Sequence, residues 1–149
     1  MSSDALTLAK RCAEVMWADD RASRALGMQI TDVGPGRATL TMTVTETMTN
    51  GHGMCHGGFV FTLADSAFAF ACNAYDQRTV AQHCAVTFLH PAQLGDRLTA
   101  QCIERTRAER SGIYDVSVKR DDDTLIAEFR GNSRTISGTL LAQPANESK

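Results

Sequence analysis

Apolar and polar positions alternate most cleanly from Arg37 to Thr45. There Ala38, Leu40, Met42 and Val44 interleave with Thr39, Thr41, Thr43 and Thr45. That period of two predicts a strand with one apolar face and one hydroxyl face. A helical period precedes it. From Ser2 to Ala18, the residues Leu8, Cys12, Val15 and Met16 fall on one face, with Ser2 or Ser3 as the cap. Asp19 or Asp20 caps a short second turn that ends at Gly27. Met28 to Val33 reads as a short strand, Gly34-Pro35-Gly36 as a turn, and Glu46 to Cys55 as a loop. Four strands close the chain: Thr79 to His90, Arg97 to Arg107, Ile113 to Arg120 and Leu125 to Ile136. The turns between them are short, at Pro91 to Asp96, Glu109 to Gly112 and Asp121 to Asp123, so successive strands should pair antiparallel. The polar tail from Gln143 reads as frayed.

One stretch has neither period. Gly57 to Tyr75 is apolar on nearly every face and carries a single charge, Asp65. It reads as a helix buried on most sides. An ionised carboxylate in such surroundings costs several kcal/mol, on the order of the transfer penalty for a charge, unless it is paired. A single antiparallel sheet must cover this helix, because no other element is apolar enough to do so. The expected architecture is therefore α+β: the hotdog fold, an antiparallel sheet wrapped around one long central helix. The helix is apolar on more faces than one sheet covers, which predicts at least a dimer.

The length of 149 residues suits one domain spanning 1–149, with an N-terminal helical segment at 2–27 and a tail at 143–149. A net charge of −2 with mixed signs gives no nucleic-acid footprint. Five cysteines without a C-x-x-C pair, three of them among apolar neighbours, favour a reducing compartment. No leader segment and no bilayer-spanning run is read in the sequence, so a soluble, cytoplasmic protein without membrane partners is expected.

The segment Asn50-Gly51-His52-Gly53-Met54-Cys55-His56-Gly57-Gly58 opens the apolar helix. A helix start offers unpaired N–H groups and a positive dipole end. Gly57 and Gly58 let a ligand oxygen approach those amides, which is how an oxyanion hole is built. Asp65 then supplies a nucleophile or a general base for water. Gly57 and Asp65 are eight positions apart, roughly 12 Å along a helix axis. Both must sit within about 3 Å of one reacting centre, which a single helix does not allow. Two antiparallel copies do, if Gly57 of one faces Asp65 of the other. Two active sites per dimer are thus expected at the subunit interface.

Other readings stand beside this one. Asp65 also fits a structural carboxylate, and Asn50-Gly51 an ordinary turn. His52 and His56, spaced four apart around Cys55, would suit a metal only on a helix, and three glycines from Gly51 to Gly57 oppose that; no metal is expected. Cys55 beside a helix start would have a lowered thiol pKa, opening a Cys55–His56 nucleophile. Phe59, Phe61, Phe68 and Phe70 read as packing, with room for one or two in an acyl pocket.

The run from Asn50-Gly51-His52 through Cys55-His56-Gly57-Gly58 to Phe61, Leu63-Ala64-Asp65, Ala67 and Ala69 resembles the PaaI-like acyl-CoA thioesterases of phenylacetate catabolism. Phe88-Leu89-His90-Pro91, Gly95-Asp96 and Phe129-Arg130-Gly131 extend the likeness, which runs from about Arg24 to Ile136. The resemblance implies a homotetramer built as a dimer of dimers, which hydrolyses acyl-CoA thioesters, aromatic ones such as phenylacetyl or hydroxyphenylacetyl above all. It implies that Asp65 is the catalytic carboxylate, that the Gly57 amide polarises the carbonyl, and that Asn50 and His56 line the reaction centre. No cofactor is implied, since coenzyme A is part of the substrate. Some relatives hold water with a hydroxyl on the strand after the helix; that position is Ala81 here, which leaves Gln82 and His83 as stand-ins. Gly58 and Phe61 belong to the substrate side, and Arg130 and Arg134 are candidates for the CoA phosphates. Two alternatives remain: a hotdog hydratase or dehydratase using His52 or His56, and a non-catalytic acyl-CoA-binding protein.

Overall fold

The computed structural model describes residues 3–141. The expected Ser2 cap and the tail from Gln143 lie outside that range. The chain opens with α1 (Ser3–Asp19) and α2 (Arg21–Ala25), followed by β1 (Gln29–Gly34) and β2 (Arg37–Thr43). A short 3-10 turn at Glu46–Met48 precedes α3 (Gly57–Cys72). Then come β3 (Thr79–Phe88), β4 (Arg97–Ala108), β5 (Ser111–Arg120) and β6 (Leu125–Thr135).

All six strands form one sheet in the order β1-β2-β4-β5-β6-β3, and every pair is antiparallel. The central helix α3 packs against all six strands. This is the expected hotdog arrangement. Alternation in the sequence sets the inner face. Ala38, Leu40 and Met42 of β2, Leu98, Ala100 and Cys102 of β4, and Tyr114, Val116 and Val118 of β5 are buried against Leu63, Ala67, Phe68 and Ala71 of α3. Phe129 of β6 meets Phe61 and Phe68 at 5.3 and 5.8 Å between ring centres. Gly131 permits this closeness, since a Cβ there would lie 2.8 Å from the Phe68 ring.

The N-terminal segment closes one side. Ala9, Cys12 and Ala13 of α1 are buried, and Trp17 packs on Phe70 with centroids 6.2 Å apart. Asp20, rather than Asp19, caps α2, accepting from the Ser23 amide at 2.9 Å. A buried bond of 2.7 Å between the Ser23 and Ser66 hydroxyls ties α2 to the back of α3.

The apolar stretch ends as a helix at Cys72, before Tyr75. The Asn73 side chain explains the stop. It donates to Ala69 O at 2.9 Å and to Thr79 O at 3.0 Å, and accepts from the Thr79 amide at 3.0 Å, turning the chain into β3. β3 is an edge strand, hydrogen-bonded on one side only, to β6. It carries a bulge at Gln82, between the pairs Ala81–Ser133 and His83–Asn132.

Candidate active site

The helix start is built by its own loop. His56 is the N-cap of α3, and its Nδ1 accepts from the Gly58 amide at 2.9 Å. A nitrogen that accepts holds no proton, so in the neutral ring Nε2 carries it. Gly58 is thereby engaged, whereas the Gly57 amide meets no acceptor among the described residues. Asn50 organises the loop. Its Oδ1 accepts from the His52 and Met54 amides at 2.9 and 3.2 Å, while its Nδ2 donors meet no acceptor among the described residues. Gly57 and Asn50 open on one cavity of about 360 Å³, walled by Met54, Val60, Phe88 and His90 among others. The Phe88 ring lies over Gly57, where a Cβ would come within 2.9 Å of its tip. Two free donors above an apolar cavity are the arrangement that stabilises charge on a carbonyl oxygen.

Asp65 is not part of that cavity. It sits mid-helix on a stripe formed by Gly58, Phe61, Thr62, Asp65 and Ala69, none of them fully buried. The helix runs antiparallel to β3, because Gly57 meets Phe88 at one end and Asn73 grips Thr79 at the other. Asp65 therefore lies level with the middle of β3. Burial, with the Asp65 charge adding to it, raises the pKa of the half-buried Cys84, and burial chiefly pushes Cys72 to about 12, again with a contribution from Asp65. The Asp65 carboxylate has no hydrogen-bond or ion-pair partner among the described residues. Burial alone moves its pKa upward from the ordinary value. A carboxylate so placed has gained basicity and keeps its lone pairs available.

The remaining residues fall elsewhere. Phe61 lies on the Asp65 stripe and meets Phe129 edge to face. Gln82 is the extra residue of the β3 bulge. His83 pairs with Asn132, whose neighbours Gly131 and Ser133 are buried; His83 thus faces the outside of the sheet, away from Asp65 within the protomer. The thiol that does face Asp65 is Cys84, which no pattern in the sequence marks, because β3 shows no clean alternation. Arg130 is held by Asp115 through two bonds of 2.7 and 2.8 Å, so its fork is already occupied, and it projects from the outer face. Arg134 is exposed on that same face. Cys55 is 8% exposed and burial raises its pKa, the reverse of the activated thiol considered from sequence. His52 and His56 flank a non-helical loop, so they do not share a helix face. A larger cavity of about 530 Å³ lies between α1 and β1, around Trp17 and Ile30, and none of the candidate site residues lines it.

Residues 52–127 match the model of the thioesterase superfamily. The acyl-coenzyme A thioesterase PaaI of Escherichia coli (strain K12) is 42% identical over 131 residues, 88% of this chain and 94% of the relative. The chain belongs to the thioesterase superfamily. The fold of this superfamily member also agrees with solved relatives. The E. coli PaaI protein from the phenylacetic acid degradation operon superposes with a TM-score of 0.89 at 41% identity, over 91% of this chain and 98% of that one. A mutant of the phenylacetic acid degradation protein PaaI of Thermus thermophilus gives 0.76 at 33% identity, over 78% and 100%.

Proposed function

We propose that this thioesterase-superfamily chain hydrolyses acyl-CoA thioesters, with aromatic acyl groups preferred, at two sites shared across a dimer. The single observation that carries the reading is the separation of two complementary half-sites on α3. The free donors of Gly57 and Asn50 open on the cavity at the helix start, while the unpartnered Asp65 stands eight residues further along. At about 1.5 Å per residue, one helix cannot bring both to one carbonyl.

The thioester carbonyl oxygen accepts from Gly57 N–H and Asn50 Nδ2 of one protomer. Asp65 of the other takes a proton from the attacking water as its oxygen bonds to the carbonyl carbon. The carbon–sulfur bond then breaks, and the CoA thiolate leaves and is protonated. Burial supports the general-base role, because it raises the proton affinity of Asp65. The acyl group fits the roughly 360 Å³ cavity, where Phe88, Met54, Val60 and Ile126 suit a ring. The name of the 42%-identical relative supports acyl-CoA as the substrate class.

The edge strand β3 supplies the dimer contact. Val80 and Phe88, with Leu89 just beyond, are 46%, 52% and 47% exposed beside unpaired backbone groups, the usual template for strand pairing. The uncovered stripe of α3 lies next to it.

Complementation tests both parts. Wild-type protein should release CoA from phenylacetyl-CoA. Asp65→Asn and Gly57→Val homodimers should both be inactive, the first for want of a base and the second because its side chain meets the Phe88 ring, within 2.9 Å at its Cβ, and crowds the approach to the amide. Randomly mixed, the two variants should regain about a quarter of wild-type turnover, since half the dimers carry one intact site of two. No recovery on mixing would place both half-sites in one protomer and sink the shared-site reading.

A further inference from the structure

Resting on the thioesterase reading above, the geometry points to His90 as a specificity-determining residue that accepts a hydrogen bond from a hydroxyl on the substrate's aryl ring. His90 follows β3 and lines the same cavity as Gly57 and Asn50. Its Nδ1 lies 2.9 Å from the carbonyl oxygen of Leu125. A carbonyl oxygen only accepts, so Nδ1 must carry the proton. That bond fixes the ring and its tautomer at once. In the neutral ring Nε2 is then a bare lone pair, with no partner among the described residues.

The two donors of the cavity's reaction end have the opposite character. The Gly57 amide and Asn50 Nδ2 are donors, and Asn50 Oδ1 is spent on two backbone amides. Most of the rest of the wall is apolar: Met54, Val60, Phe88 and Ile126. A thioester carbonyl needs donors and finds them. The side-chain acceptor of His90 has nothing to give that carbonyl; it matches a donor carried by the substrate. It also disfavours an acyl group ending in a carboxylate, which would set an anion against a lone pair. The cavity volume of about 360 Å³ suits a monocyclic acyl group whose substituents reach the wall. The backbone supports this placement. Leu89 and His90 amides both bond to Ile126 O, at 2.8 and 3.3 Å, so the residue is anchored to β6 on main chain and side chain alike.

The CoA portion of the substrate also carries donors, the amide N–H groups of its pantetheine arm. The two sources are separable by comparing kcat/KM on 4-hydroxyphenylacetyl-CoA and phenylacetyl-CoA for wild type, His90→Leu and His90→Gln. Each ratio is internally normalised, so partial loss of fold in a variant cancels. In wild type the hydroxylated substrate should be favoured. In His90→Leu that preference should shrink by roughly 3- to 10-fold, the scale of one net hydrogen bond. His90→Gln, which keeps a donor and an acceptor, should recover much of it. An unchanged ratio in His90→Leu, or an equal loss on both substrates as a pantetheine contact would give, overturns the assignment. Binding of the free acids, 4-hydroxyphenylacetate against phenylacetate, reads the same preference without turnover. If wild type releases no CoA from either thioester, the thioesterase reading fails, while the free-acid ratio still decides the role of His90.

Discussion

Two carboxylates sit near the core of this molecule, and they are treated in opposite ways. Glu104 of β4 is saturated. Its Oε1 accepts from the hydroxyls of Tyr75 and Tyr114, both at 2.9 Å, and the Arg107 guanidinium lies 3.4 Å away while stacking 3.5 Å over the Tyr75 ring. Tyr75 is held protonated in return, its pKa pushed to about 12 by burial and by Glu104. This cluster pins the end of the α3–β3 connection to the sheet. Asp65 has none of these partners. The chain can satisfy an inward-facing carboxylate and does so at Glu104. The bareness of Asp65 is therefore a property of its place, and a bare carboxylate of raised basicity is what proton abstraction requires.

The sharpest way to break this contrast is Asp65→Asn. Turnover should fall by roughly 10²- to 10⁴-fold, the usual loss for a general base. Stability should move the other way, and its pH dependence gives the sign. The folded-state pKa of Asp65 lies above the ordinary value of 3.8. Below 3.8 both folded and unfolded chains hold the proton, and the residue costs nothing. As pH rises through the folded pKa, the native carboxyl ionises against its burial, and the penalty is fully present above it. Asp65→Asn should thus melt higher than wild type at neutral pH, with the gain disappearing on acidification toward 3.8. Wild-type kcat/KM should lose its acid limb at a higher pH than an ordinary carboxylate would give. Equal melting temperatures across pH would mean that Asp65 is solvated or paired in solution.

Glu104→Ala probes the other pole. It should cost about 2–4 kcal/mol, because two tyrosine hydroxyls lose their acceptor, that of Tyr114 in a side chain only 1% exposed. Turnover per folded molecule should stay near wild type. Chemical denaturation and active-site-normalised kinetics separate the two effects. A stable Glu104→Ala protein with reduced turnover would reverse the contrast, making Glu104 the functional acid.

The sequence made Asp65 visible but not Glu104. A lone charge within a long apolar run stands out in one dimension. Glu104 looks like any strand carboxylate until the register brings Tyr114 opposite and the fold brings Tyr75 from 29 positions away. The same limit applies to Arg130. Its claim on CoA phosphates came from charge alone, and only the β5–β6 register, pairing it with Asp115, reveals its occupied fork. The bounds of β4 and β6 were legible to within one residue, and those of β2 and β5 to within two. β3 was not readable by face, because an edge strand with both sides largely exposed has no burial period, and its bulge at Gln82 shifts the parity, turning His83 outward and Cys84 inward where unbroken alternation from Ala81 would do the reverse. His90 depends on a carbonyl 35 positions away. The helix start was legible because capping and glycine placement are local.

That locality frames the smallest effect, at His56. Its imidazole caps α3 through the Gly58 amide, and removing a cap costs about 1 kcal/mol. His56→Ala should lower stability by that amount and turnover by a few-fold, as the freed Gly58 amide and a frayed first turn loosen Gly57. His56→Asn separates cap from chemistry, since asparagine is among the best N-caps and can accept from the same amide. If His56 acts through the cap, His56→Asn should restore melting temperature and turnover together. Restored stability with turnover still depressed would place the imidazole itself, through its outward Nε2–H, at the reacting carbonyl, and the donor half of the site would then hold three groups instead of two.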